Sequence, residues 1–156
     1  ELASSAVERA GRELAGRALA IDASEDCAAF VDAALVARLA ANLLRNAARY
    51  SPADAPIDLA LELRRAPPAP GGGEDGGKAL ALRVRDRGPG LPEDELDSVF
   101  AKFARGRGAK GKGLGLGLAI CKGLAEAHGG GIVARNALGG GLEIETILPF
   151  GGGDGI

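Results

Sequence analysis

The chain has 156 residues and a formal net charge of −2 at pH 7, a length that predicts one domain with a two-layer core. This charge offers no basic field for nucleic acid or a membrane surface, and one histidine with two widely spaced cysteines predicts no zinc site. The sequence contains no signal peptide and no apolar run near the roughly 20 residues that cross a bilayer. We therefore expect a cytoplasmic domain that contacts neither nucleic acid nor membrane.

The first third of the chain predicts a helix, a short strand and a long second helix. Residues 3–19 have a helical composition and lead into a short strand at 18–22. Apolar residues then recur at helical spacing from Asp32 to Tyr50. Pro52 ends this helix because proline excludes helical geometry at the residue before it.

The middle of the chain predicts two paired strands and a mobile segment. Apolar and polar residues alternate from 57 to 63, and a loop of prolines and glycines at 66–73 connects this strand to a second one at 79–84. We expect the two strands to pair antiparallel. Pro92 opens a short helix with acidic residues in its first turn. Residues 105–112 contain glycine, lysine and arginine without an apolar anchor, which predicts a mobile segment.

The last part of the chain predicts one helix followed by a hairpin. Apolar residues between 116 and 128 recur at helical spacing, and the glycines after His128 end the helix. Strands at 131–135 and 142–148 flank a triple-glycine turn at 139–141. Antiparallel strands with helices gathered together predict an α+β fold, a two-layer sandwich whose mixed, mostly antiparallel sheet packs on helices.

A glycine at every second position from residue 113 to residue 117 is the most informative local signal. Glycine lets a backbone approach phosphate oxygens that a side chain would block, and the free N–H groups of a helix N-terminus favour a bound anion. By itself such a run is more often a flexible connection, so the rest of the chain decides its meaning. The run consists of Gly113, Leu114, Gly115, Leu116, Gly117 and Leu118.

Two further segments place polar side chains where a ligand could use them. Asn42 and Asn46 are four residues apart and share one face of the long helix, with Arg49 and Tyr50 close behind. Asp86 ends an alternating strand immediately before a turn. Taken singly, the asparagines are as typical of a helix surface as of a ligand site, and Asp86 is as typical of a turn cap.

Together and in this order, the segments resemble the ATP-binding domain of sensor histidine kinases, which has the Bergerat fold. The N box of that family corresponds to residues 42–52, and the first glycine box to 86–92. An F-box-like segment follows at 100–105 and the second glycine box at 113–118. The resemblance covers residues 1–149, and four motifs in the same order make it specific.

The resemblance implies roles for the N-box side chains. Asn46 would contact Mg²⁺, because an amide oxygen is a hard, neutral ligand and Mg²⁺ takes one or two protein oxygens besides phosphates and water. Asn42 stands where related gyrase and chaperone ATPases have a glutamate that activates water, and an asparagine cannot accept that proton. This difference favours phosphoryl transfer over rapid hydrolysis. Arg49 would meet phosphate oxygens and Tyr50 would pack on the adenine ring.

The first glycine box and the lid complete the implied nucleotide site. Asp86 would accept a hydrogen bond from the exocyclic amine of adenine, with Gly88 and Gly90 allowing a tight backbone beside the base. Residues 105–112 would form the lid of the site, and one or two of the cations around it would reach the triphosphate: Lys102, Arg105, Lys110 and Lys112.

The chain departs from the family pattern near the lid. An extra Gly111-Lys112 precedes the second glycine box, and Leu114 stands where many members carry threonine or serine. Phe100 and Phe103 either anchor the lid or form the apolar face of a helix.

The resemblance also implies partners. Residues 1–156 would be a single catalytic domain, monomeric by itself, that uses ATP and Mg²⁺. It would act on the dimerisation and phosphoacceptor helices of a membrane-anchored parent kinase, and through them on a response regulator. His128 is expected to be structural, because the phosphorylated histidine of the family lies in the separate dimerisation domain.

Two alternatives remain at this point. One is a stand-alone serine kinase that acts on anti-sigma-factor partners, and the other is a nucleotide-binding interaction module without catalysis. Within the sensor kinases, residues 86–92, 100–106 and 119–130 are similar to potassium-responsive, KdpD-type members.

Overall fold

A five-stranded sheet forms one layer of the structure, a computed structural model that describes residues 1–24, 32–66, 77–101 and 116–150. Its strands are β1 (Leu19–Ala23), β2 (Ile57–Arg65), β3 (Lys78–Arg85), β4 (Gly131–Asn136) and β5 (Leu142–Phe150). They lie in the order β1-β2-β3-β5-β4. The β1–β2 pair is parallel, and the other three pairs are antiparallel.

Three helices form the second layer: α1 (Leu2–Ala10), α2 (Ala33–Tyr50) and α3 (Gly117–Ala127). α2 packs on β2 and β3, α3 packs on β4 and β5, and α1 packs on α2. The α+β two-layer sandwich predicted from the sequence is therefore confirmed. Within the described ranges, no helix combines the length and the apolarity that crossing a bilayer requires.

α2 forms where the sequence predicts it, and both of its ends have local causes. Asp32 is the N-cap, and its Oδ1 accepts hydrogen bonds from the backbone N–H of Ala34 at 3.0 Å and of Leu35 at 3.1 Å. Ser51 is extended, as expected for the residue before Pro52. The apolar face is buried in the core and consists of Val36, Ala37, Leu39, Ala40, Ala41, Leu43, Leu44 and Ala47.

The alternation of the strands separates an apolar face from a charged one. In β2 the odd-numbered residues from Ile57 to Leu61 are buried under the helices, while Glu62 is exposed on the opposite face. Charges on that outer face are paired across strands. Glu145 of β5 lies 3.0 Å from Arg64 of β2 and 3.2 Å from Arg135 of β4, which ties non-adjacent strands together.

Three elements differ from the sequence-based expectations. The first helix is shorter than predicted, because Gly11 adopts a φ of 64° directly after Ala10 and a 3₁₀ turn replaces further α-helix. The helix expected after Pro92 is a single 3₁₀ turn at Glu93–Glu95. β1 pairs parallel with β2 because α2 carries the chain back across the sheet, a connection that strand periodicity does not encode.

Candidate nucleotide site

Asp86, at the end of β3, uses one carboxylate oxygen to build the loop that follows. Its Oδ1 accepts hydrogen bonds from the backbone N–H of Gly88 at 2.8 Å and of Leu142 at 3.1 Å. Asp86 is 4% exposed, and within the described ranges Oδ2 receives no hydrogen bond. The turn-capping alternative is thus realised through Oδ1, while Oδ2 keeps its capacity to accept a hydrogen bond.

The two glycines of this loop are required by neighbouring protein atoms. A Cβ on Gly88 would overlap the carbonyl oxygen of Tyr50, so only glycine lets the loop touch the end of α2. Gly90 has a φ of 70°, and a Cβ there would overlap the side-chain oxygen of Asn136. Gly88 thus lies against both the backbone carbonyl of Tyr50 and Oδ1 of Asp86, and Tyr50 is 36% exposed.

The two asparagines of α2 have different surroundings. Oδ1 of Asn42 accepts a hydrogen bond from Nη2 of Arg45, and Asn42 lies beside the thiol of Cys121 on α3. Asn46 is half-buried, and its side chain forms no hydrogen bond with any described residue. The amide of Asn46 is therefore available to a ligand, whereas the oxygen of Asn42 already has a protein donor.

Arg49 extends from the last turn of α2 and is exposed. It forms no ion pair in the part of the chain that the structure describes. A guanidinium without a carboxylate partner at this position can still bind an anion bidentately.

The N-terminus of α3 has no side-chain cap. Leu116 is the N-cap residue and offers no side-chain acceptor to the free N–H groups of the first turn. A Cβ on Gly117 would meet no described heavy atom within 4 Å, so protein packing does not explain the glycine there. Leu118 is buried and anchors the helix to the core.

Several predicted site residues lie outside the described residues, and their assignments stay predictions. These residues are Lys102, Arg105, Gly113, Leu114 and Gly115, together with Phe103. The predicted lid at 105–112 also lies outside the described residues. Phe100, by contrast, is described, and it packs in the core near α3.

Comparison with known proteins shows which family this chain belongs to. Residues 31–152 match the family described as histidine kinase-, DNA gyrase B- and HSP90-like ATPase. The chain belongs to this ATPase family. It is 39% identical over 120 residues to the sensor protein KdpD of Escherichia coli K12, a match that covers 76% of this chain and 12% of KdpD.

Solved structures agree with this family assignment. The mycobacterial sensor histidine kinase MprB has a TM-score of 0.72 and 27% identity, covering 96% of this chain and 93% of that one. Full-length ShkA in complex with AMPPNP has a TM-score of 0.68 and 26% identity, covering 96% of this chain and 29% of that one. The resemblance to sensor histidine kinases, KdpD among them, is therefore confirmed. The chain spans only 12% to 16% of the length of the first two KdpD relatives.

Sequence reasoning missed Arg17, which holds the end of α2 in this ATPase domain. Its guanidinium donates to the carbonyl of Ala48 at 2.8 Å, to the hydroxyl of Ser51 at 3.2 Å and to the carbonyl of Ala55 at 3.2 Å. It also donates to the carbonyl of Pro52. No periodic pattern connects residue 17 with residues 48–55, so the sequence carries no signal for this contact.

Proposed function

We propose that this chain binds ATP with Mg²⁺ as the catalytic domain of a sensor histidine kinase. It donates the γ-phosphoryl group to a histidine on the dimerisation helices of its parent protein, from which a response regulator receives it. The observation that carries this proposal is Asp86, a buried carboxylate whose Oδ2 receives no hydrogen bond from the described residues, in a member of this ATPase family.

Base recognition follows from the two oxygens of Asp86. Oδ1 is held by the amides of Gly88 and Leu142, which fixes the direction in which Oδ2 points. Oδ2 accepts a hydrogen bond from the exocyclic amine of adenine, and the ring packs on Tyr50. Guanine carries a carbonyl at that position, so GTP leaves two acceptors facing each other and binds more weakly.

The metal and the phosphates are assigned to α2 and α3. Asn46 suits Mg²⁺ because its amide oxygen is hard, neutral and unpartnered among the described residues. Bound Mg²⁺ would neutralise charge on the phosphates during transfer. Arg49 and the free N–H groups at Gly117 approach phosphate oxygens, and catalysis is mostly positioning and electrostatics.

Phosphoryl transfer is favoured over hydrolysis by the chemistry of Asn42. An amide cannot take a proton from water, and its oxygen already accepts a hydrogen bond from Arg45. A slow hydrolysis rate preserves ATP until the acceptor histidine arrives. The proteins similar to this chain include the sensor protein KdpD and the sensor histidine kinase MprB, which favours this function over an anti-sigma-factor kinase or a non-catalytic module.

Calorimetry tests the binding half of the proposal. We expect ADP and ATP to bind in the presence of Mg²⁺, GTP to bind more weakly, and Asn46→Ala to remove the dependence of affinity on Mg²⁺. The melting temperature of Asn46→Ala serves as the folding control, since a half-buried polar side chain that forms no hydrogen bond with the described residues adds little to packing. Absence of heat at millimolar nucleotide would overturn the proposal.

The transfer half is tested by adding the dimerisation helices of the parent kinase in trans. Label from γ-³²P-ATP should appear on those helices as an acid-labile, base-stable phosphate. The rate will be limited by effective concentration because the two parts are not linked. Label on a serine instead would favour the anti-sigma-factor alternative.

A further inference from the structure

Asn136, the last residue of β4, makes a reciprocal contact with the first glycine box. Its Nδ2 donates to the carbonyl oxygen of Leu91 at 2.7 Å, and its Oδ1 accepts from the backbone N–H of Leu91 at 2.9 Å. A carboxamide is the side chain that can offer a donor and an acceptor side by side to one residue. Asn136 therefore pairs with Leu91 as a neighbouring strand would, although the loop is not part of the sheet.

Gly90 and Asn136 fit each other. The φ of 70° at Gly90 is a conformation that glycine adopts without a steric penalty, and a Cβ there would overlap Oδ1 of Asn136. The glycine that precedes Leu91 thus serves the approach of the Asn136 side chain. This contact explains, without any role for a nucleotide, why residue 90 is a glycine.

The same hairpin holds the other end of the loop. The backbone of Asp86 pairs with Leu142, and a Cβ on Gly141 would overlap the carbonyl oxygen of Asp86. Arg85, the residue before Asp86, donates to the carbonyl oxygens of Leu138 at 2.8 Å and Gly140 at 3.3 Å. The β4–β5 hairpin therefore contacts both ends of residues 86–91.

We propose that Asn136 is a positioning residue for nucleotide recognition, one that holds residues 88–91 so that Oδ2 of Asp86 faces the base. This inference rests on the proposed function. Among the described residues, Asn136 is the one whose side chain hydrogen-bonds to residues 89–91. Without this contact, the loop becomes ordered only when the nucleotide binds. The free-energy cost of that ordering then weakens nucleotide binding.

The test compares Asn136→Ala and Asn136→Asp with Arg135→Ala. Asn136→Asp keeps the size of the side chain but loses the donor to Leu91. Arg135 is the matched control, because it lies on the same strand, points to the opposite face and pairs with Glu143 and Glu145. We expect the Kd for Mg–ADP to rise about tenfold in Asn136→Ala and at least about threefold in Asn136→Asp. Arg135→Ala should stay within about twofold of the wild type.

Two further readouts separate positioning from general destabilisation. In the nucleotide-free protein, the amide of Leu91 should exchange with solvent faster in Asn136→Ala, which removes its acceptor, while the amides of α2 should not change. The ratio of ATP affinity to GTP affinity should fall. In trans phosphorylation, the KM for ATP should rise while kcat stays at the wild-type value.

The outcomes distinguish the two proposals. Unchanged Kd values in Asn136→Asp, with the wild type binding Mg–ADP, would overturn the role of Asn136 and leave the proposed function standing. An equal loss of affinity in Arg135→Ala would show that general stability is responsible and would also overturn it. A wild type that binds no nucleotide overturns both proposals.

Discussion

At the scale of single residues, the two oxygens of Asp86 can be separated by one substitution. In the Asp86→Asn variant, the amide oxygen can still accept hydrogen bonds from the N–H groups of Gly88 and Leu142, but the amide nitrogen replaces Oδ2 and cannot accept the adenine amine. We expect ATP binding to weaken by about 1–3 kcal/mol with little change in melting temperature. Calorimetry beside a thermal melt measures both quantities. Equal affinity for ATP in variant and wild type would remove Asp86 from base recognition.

Cys121 gives a prediction about pH. Burial raises the pKa of this thiol from its ordinary value of 9.0 to about 11, and contact with Asn42 only partly opposes the increase. Between pH 9 and pH 11 the unfolded chain releases this proton while the folded chain keeps it. The free energy of unfolding should therefore fall with rising pH over this window, by about 2–3 kcal/mol from this group.

Chemical denaturation of the wild type and of Cys121→Ala at several pH values isolates the contribution of Cys121. The variant loses apolar burial at every pH, so the informative quantity is the difference between the two slopes. Every other ionisable group is common to both proteins, so its contribution cancels in this difference. Parallel slopes from pH 9 to pH 11 would contradict the raised pKa.

At the scale of elements, α3 contains two glycines that make a matched pair. Gly117 lies at its N-terminus and Gly123 in its middle, and a Cβ on either would meet no described atom within 4 Å. Alanine at each position should stabilise the helix by up to about 1 kcal/mol. Only Gly117→Ala should weaken nucleotide binding, because only its Cβ would stand where the phosphates approach. Calorimetry with Mg–ADP checks this, and an equal effect of Gly123→Ala would contradict it.

The end of α2 depends on Arg17. Its guanidinium donates to the carbonyl of Ala48, which lies in the last turn and has no partner within the helix, and its positive charge lies at the negative end of the helix dipole. We expect Arg17→Ala to lower the free energy of unfolding by about 2–3 kcal/mol. Arg12→Ala is the control, since Arg12 is exposed and forms no ion pair among the described residues. Denaturant titration that finds equal losses for both would contradict this role.

At the scale of the whole molecule, His128, the one histidine of the sequence, lies far from the proposed phosphate-binding site at the N-terminus of α3. His128 is exposed directly after α3, with Nδ1 donating to the carbonyl of Leu124 at 2.8 Å. The 11 residues of α3 place it about 16 Å from the N-terminus at Gly117. We expect the isolated domain to acquire no phosphohistidine from γ-³²P-ATP. Acid-labile label that disappears in His128→Gln would contradict this expectation.

Much of the fold and part of the site follow from the sequence, because the signals for them are local. α2 and the pairs β2–β3 and β4–β5 come from periodicities of 3.6 and 2, which record which side of each element is buried. The order of the four motifs identified the family in the same local way. Asp86 and Asn46 stand out because they lie in two of those motifs, whereas each taken singly is typical of a turn cap or a helix surface.

Only the tertiary structure decided which contacts hold these local pieces together. Asn136 reaches Leu91 across 45 residues, and the amide of Leu142 reaches Asp86 across 56. Arg17 joins α2 from 31 residues away, and β1 pairs parallel with β2 through that helix. Each is a single contact made once, with no repeat along the chain. Periodicity shows which residues are buried but not which residues they contact. The packing of the layers therefore determines which oxygen of Asp86 accepts hydrogen bonds from the protein and which remains available.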